Sequence, residues 1–164
     1  MTRLEVPVQL RWSDMDAYQH VNNVEMLRLL EEARIEAFWS HPVASDGSRA
    51  LSEWPTAVID AGPGAELSTL VARQEIEYLR PLGYRRTPVV VEIWLGYLGG
   101  ASLDVCYEVR DAGPAAPERV TYARAITTLV LVSSATGSPR RIDAEQRAAW
   151  SPYLEEPVTI RRRR

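Results

Sequence analysis

A single stretch of this chain carries the 3.6-residue period of a long helix, and most of the sequence beyond it alternates with a period of two. Met26, Leu30, Ala33 and Ala37 recur at spacings of four, three and four, and Leu27 and Phe38 widen that stripe. Glu25, Arg28, Glu32 and Glu36 lie on the other side, with Arg28 and Glu32 spaced to pair across one turn. Asn22 is placed to cap the helix, and Glu25 three residues on completes a variant of the capping box. The predicted helix over 22–39 would be about 27 Å long at 1.5 Å per residue.

Strand patterns surround it. Leu4, Val6, Val8, Leu10 and Trp12 alternate with polar residues, which predicts a half-buried strand over 4–12. Residues 40–55 are rich in Ser, Gly and Pro and read as a loop, and 56–61 as a short strand. Longer strands are expected over 70–78, 89–97, 103–109 and 120–132, and Asp143 is placed to cap a closing helix that ends at Trp150 before Pro152. Short connections favour antiparallel neighbours, because a parallel crossover needs a dozen or more residues. The predicted fold class is therefore α+β: a curved antiparallel sheet wrapped around one long central helix. Residues 1–160 read as one domain and 161–164 as an arginine tail.

Composition removes several chemistries. All 19 basic residues are arginine, so Schiff-base catalysis and a P-loop lysine are excluded. Cys106 is the only cysteine, so no intrachain disulfide can form, and in mid-strand it reads as a packed thiol. His20 and His41 are far apart, without zinc-ligand spacing, and no metal site is expected. Without the tail, 15 basic groups face 22 acidic ones, a net charge of −7 that argues against a nucleic-acid partner. No run approaches the roughly 20 apolar residues that span a bilayer. The first residues alternate rather than forming an apolar leader, so a cytoplasmic location and no membrane partner are expected.

The densest polar segment lies between the first strand and the long helix: Ser13-Asp14-Met15-Asp16-Ala17-Tyr18-Gln19-His20-Val21-Asn22-Asn23. It ends at a helix N-terminus, whose first N–H groups lack internal partners and carry the positive end of the macrodipole. Such donors can stabilise an oxyanion, and a carboxylate just before them can serve as general base or nucleophile. The same residue types also fill ordinary helix entries, because they cap and turn. On the residues alone both readings stay open.

Arg11-Trp12-Ser13-Asp14-Met15-Asp16, then His20-Val21-Asn22-Asn23, then Leu27-x-x-Leu30-Glu31-Glu32-Ala33-Arg34 together resemble the hot-dog-fold acyl-CoA thioesterases of the 4-hydroxybenzoyl-CoA thioesterase type. Ile76-Glu77-Tyr78-Leu79-Arg80-Pro81-Leu82 and the Gly-x-x-Ser at Gly99 to Ser102 extend the resemblance, which spans roughly residues 5 to 150. It implies hydrolysis of an acyl-CoA thioester, with coenzyme A as part of the substrate and no separate cofactor. It implies Asp16 as the catalytic carboxylate, the amide at Asn23 as the oxyanion donor, and His20 and Asn22 as residues orienting substrate or water. Asp14 would support the loop. Arg73, Arg80, Arg85 and Arg86 at predicted strand ends are candidates for the phosphates of coenzyme A. A homodimer or homotetramer is implied, with sites between protomers. Many relatives carry Gly where this chain has Gln19, and Tyr where it has Met26. A hot-dog hydratase or dehydratase and a non-catalytic acyl-CoA-binding module are the alternative functions.

Overall fold

The computed structural model describes residues 2–40, 54–60, 62–112 and 119–161, so His41, most of the predicted 40–55 loop and the end of the arginine tail lie outside the described residues. Among the described residues five strands form one antiparallel sheet: β1 (Leu4–Val8), β2 (Leu67–Tyr78), β3 (Val89–Leu98), β4 (Ser102–Asp111) and β5 (Thr121–Ser133). Their order across the sheet is β1-β3-β4-β5-β2. The three-residue connection over 99–101 makes β3 and β4 a hairpin, and β5 pairs antiparallel with β4. β2 and β3 do not pair, although they are consecutive: β2 lies at the far edge against β5, and β3 pairs with β1. The ten-residue connection from Leu79 to Pro88 spans three inter-strand spacings, about 14 Å.

The long helix, α1 (Asn23–Phe38), packs on one face of the sheet. Met26, Leu29, Leu30, Ala33, Ala37 and Phe38 are buried there, facing inward residues such as Val6, Val91, Ile93 and Val105. Leu29, not Leu27, widens the apolar stripe. Arg34 is also buried, 3% exposed: Nη1 donates to the buried Tyr107 hydroxyl at 3.1 Å, and Nη2 reaches the exposed Glu31 carboxylate at 3.4 Å. The closing helix α2 (Ala144–Trp150) has the expected Asp143 cap, reciprocated by the Gln146 side chain. It places Trp150 edge-on to Phe38, at a centroid separation of 5.9 Å.

The outer face of β3 and β4 is covered by the two terminal segments. Leu154 bridges Leu95, the Trp94 indole donates to the Glu156 carbonyl at 3.0 Å, and Arg3 stacks 3.8 Å above the Trp94 ring. Arg3 also pairs with Glu92, Glu108 and Glu155, while Arg124 holds Glu108 from β5. This cover explains why β3 is buried on both faces despite its alternating pattern. Cys106 lies under it, fully buried, and burial pushes its thiol pKa up. The expected strand over 56–61 does not form: Ile59 makes one parallel bridge to Trp39, and Ala61 lies outside the described residues. Among the described residues no helix is long and apolar enough to cross a membrane.

Candidate active site

The first strand ends at Val8, four residues earlier than its alternation predicts. Asp14 is the reason. Its Oδ2 accepts the Arg11 backbone N–H at 2.7 Å, its own N–H donates to the Arg11 carbonyl, and Trp12–Asp14 close into a 3-10 turn. Trp12 is thereby thrown outward, 71% exposed. Asp14 itself has no exposed surface, and its Oδ1 accepts from Arg11 Nη2 at 2.9 Å and Arg28 Nη2 at 2.8 Å. Burial alone would raise the Asp14 carboxyl. The Arg11 N–H and the two guanidinium groups outweigh that and hold it below the usual carboxylate range.

The chain then doubles back on itself. The Asp16 N–H donates to the His20 carbonyl at 2.8 Å, Met15 bridges Val21, and the Asn22 N–H donates to the Asp14 carbonyl at 2.8 Å. Asp14 thus joins three parts: the exit of β1 through Arg11, the flank of α1 through Arg28, and the helix cap through Asn22. The turned loop is pinned from outside by the β2–β3 connection, where Val21 N–H donates to the Leu82 carbonyl at 2.8 Å and His20 bridges Gly83.

Within the loop, Asp16 Oδ1 accepts the backbone N–H groups of Tyr18, at 2.8 Å, and of His20, at 3.1 Å. Asp16 Oδ2 makes no hydrogen bond among the described residues, and Asp16 lines a cavity of about 420 Å³ with Trp12, Met15, Gln19, Gly83 and Tyr84. Trp12 and Tyr84 meet edge to face in its wall at 5.2 Å. Gln19 sits at the turn with φ 63°, the only positive-φ residue other than glycine among those described.

Asn22 caps α1 as expected, but its Oδ1 accepts the Val24 N–H at 2.9 Å and is not reciprocated by Glu25. The Glu25 carboxylate turns instead to Arg28 Nε, 2.6 Å away, because the Asn22 N–H is already committed to Asp14. Asn23 opens the helix, exposed, and its N–H has no partner among the described residues. Its carbonyl accepts the Tyr78 hydroxyl at 2.9 Å, which ties the helix start to the end of β2. Sequence pattern does not mark Tyr78 as a site neighbour, because the contact joins residues 55 apart. His20, half-buried, contributes its backbone N–H to Asp16; its ring makes no hydrogen bond among the described residues.

The four candidate arginines do not converge. Arg80, Arg85 and Arg86 share the β2–β3 connection with Gly83 and Tyr84, whereas Arg73 lies in mid-β2, about 17 Å along the strand from Tyr78. Arg73 pairs with Glu75, and Arg85 with Asp111 and the Tyr122 hydroxyl. Arg80 and Arg86 are exposed, with no side-chain hydrogen bond or ion pair among the described residues.

Comparison with known proteins places this chain in a family. The model of the thioesterase-like superfamily matches residues 10–155. A protein of Pseudomonas aeruginosa carrying the provisional name thioesterase is 29% identical; the match covers 90% of this chain and 95% of that one, with a TM-score of 0.64. A thioesterase of Thermus thermophilus, solved in complex with coenzyme A and zinc, is 25% identical over 93% of this chain and 95% of that one, also with a TM-score of 0.64. A second Pseudomonas aeruginosa protein matches at a TM-score of 0.69 and 20% identity, over 96% of this chain and all of that one, a likeness of fold. A comparison with curated proteins returned no match. The helix-on-antiparallel-sheet architecture is the hot-dog fold, and this chain belongs to the thioesterase-like superfamily.

Proposed function

We propose that this protein hydrolyses acyl-CoA thioesters at the loop before α1. The observation that carries the reading is the division of labour at Asp16: one carboxylate oxygen is held by two backbone N–H groups while the other is open, on the wall of a cavity. The loop that presents it ends at a helix N-terminus whose first N–H has no partner among the described residues. That amide polarises the thioester carbonyl and takes the developing negative charge. Asp16 either draws a proton from the attacking water or attacks the carbonyl carbon itself to give a transient anhydride. Asn22 holds the helix terminus in place, and His20 fixes Asp16 through its main chain. Arg80 and Arg86 have open guanidinium groups for the coenzyme A phosphates. The Thermus thermophilus relative, complexed with coenzyme A, supports that choice of carrier.

The same reading includes a homodimer. β2 is twelve residues long with an unpaired outer edge, and Leu70, Val71 and Tyr78 on it are exposed. A long unpaired edge carrying exposed apolar side chains is a template for pairing with a second copy.

The test is free-thiol release from a panel of acyl-CoAs by wild type and Asp16→Asn. Wild type is expected to turn over at least one acyl class, and Asp16→Asn to lose about 10²-fold or more. Thiol release unaffected by the substitution refutes the assignment of Asp16. Accumulation of a 3-hydroxyacyl thioester without thiol points to a hydratase, and saturable acyl-CoA binding without turnover to a binding module.

A further inference from the structure

We propose that the carboxamide of Gln19 is a second group of the catalytic apparatus, holding the attacking water against Asp16. This rests on the reading of Asp16 as general base. Gln19 adopts the left-handed backbone conformation at φ 63°, which a Cβ makes costly and which glycine adopts freely. Strain of this kind persists where the surroundings over-determine it, and it gathers at functional sites. Here the surroundings are explicit: the Gln19 N–H donates to the Asp16 carbonyl at 3.0 Å, and the residues on either side, Tyr18 and His20, donate theirs to Asp16 Oδ1. The turn that aims Asp16 therefore forces residue 19 into its conformation.

The cavity shows what the chain gains from a long amide at that position. Gln19 lines it beside Asp16, and its side chain makes no hydrogen bond among the described residues. A water ready to attack a carbonyl carbon must place both its protons on acceptors, leaving a lone pair free. Asp16 Oδ2 is one acceptor. Among the other lining side chains, the Trp12 indole only donates, the Met15 sulfur accepts weakly, Gly83 offers none, and the Tyr84 hydroxyl both donates and accepts. Gln19 Oε1 is the carboxamide acceptor, carried three residues from Asp16 on the same turn. In the step itself, the water oxygen bonds to the thioester carbon while one proton passes to Asp16, and the other stays on that oxygen, donated in a hydrogen bond to Gln19 Oε1. Collapse of the tetrahedral species breaks the C–S bond, and Asp16 returns its proton to the departing thiolate.

The experiment compares wild type with Gln19→Gly, Gln19→Ala and Gln19→Asn, by steady-state and first-turnover thiol release and by thermal melting. Gly and Ala are both expected to lower kcat about tenfold or more with KM within about twofold, and Asn, which keeps a shorter amide, to fall between. Melting separates strain from chemistry: Gly should melt about 2–4 °C above Ala, since only Gly relieves the left-handed backbone. Wild-type kcat in Gln19→Gly overturns the proposal and leaves the role of Asp16 standing. A first-turnover burst of thiol at the wild-type rate in Gln19→Gly also overturns it, because water would then not be the first nucleophile. Absence of thiol release by wild type across the panel overturns both readings.

Discussion

Replacing Asp14 by Asn tests whether one buried carboxylate joins the polar loop to the helix. Asp14 accepts four bonds: Arg11 N–H at 2.7 Å, Arg11 Nε at 3.1 Å and Nη2 at 2.9 Å, and Arg28 Nη2 at 2.8 Å. Hydrogen bonds to a charged group contribute about 1.5–3 kcal/mol each when well buried. The two arginines are 56% and 30% exposed, so water replaces much of what they lose, and their share is discounted accordingly. Asn keeps a neutral acceptor for the guanidinium groups but turns an NH₂ toward the Arg11 N–H, leaving that donor unpaired. The expected cost is about 2–3 kcal/mol, or roughly 4–12 °C in Tm for a domain of this size.

The effect has a definite pH dependence. The Asp14 carboxyl sits below its unfolded value in the folded chain. Its contribution is therefore complete above the unfolded pKa, near 3.9, and is lost as pH falls through the lower folded value. Thermal melts of both proteins at pH 7 and pH 3 should show a wide gap at neutral pH that narrows below about pH 4. Equal Tm values at pH 7, or a gap of the same size at both pH values, would refute the charge-based account of the junction. Because the Asp14 carbonyl also holds the Asn22 N–H, thiol release should fall together with stability.

Two further outcomes are expected from the sheet. A Cβ at residue 96 would lie 2.8 Å from Cys106 Sγ and 3.1 Å from Pro157 Cα, so Gly96→Val should lift the C-terminal segment from the outer face. The expected loss is about 1–3 kcal/mol, and the single cysteine should react faster with a thiol reagent; unchanged labelling and Tm would contradict the packing described. On the open edge of β2, Val71→Lys should convert the proposed dimer into a monomer in analytical ultracentrifugation, with a monomeric wild type refuting edge pairing.

Much of the fold is legible in local pattern. The helix expected over 22–39 forms as Asn23–Phe38 with Asn22 as its cap, and the four later strands form within three residues of their expected starts. Periodicity works there because each element buries a face, and the side-chain period reports that face directly. It misleads where a side chain redirects the backbone. Leu10 is buried as the alternation predicts, yet the strand has already ended, because Asp14 takes the Arg11 N–H that a strand would have offered a neighbour. Glu25 departs from its expected partner for a related reason: a capping box needs a free cap N–H, and that of Asn22 is taken by a residue eight positions upstream.

The polar loop before α1 is recognisable as a candidate site from the resemblance and its density of polar groups, with Asp16 inside it and Asn23 at the helix start. Its neighbours are not recognisable in the same way. Tyr78, Gly83 and Tyr84 reach it only because β2 crosses to the far edge of the sheet, which obliges the β2–β3 connection to pass beside the loop. Short-range pattern carries no information about which strand becomes an edge.

The chain's sequence by itself therefore determined most of its element types, the long helix, the all-arginine cation set and the polar loop that holds Asp16. Those properties depend on residue identity and on spacings of a few positions. Only the tertiary structure decided the order of the strands, the burial of Asp14 between Arg11 and Arg28, the inward turn of Arg34 and the conformation of Gln19. Each of these depends on which groups compete for the same donor or the same buried space, and that competition exists only once distant segments have been brought together.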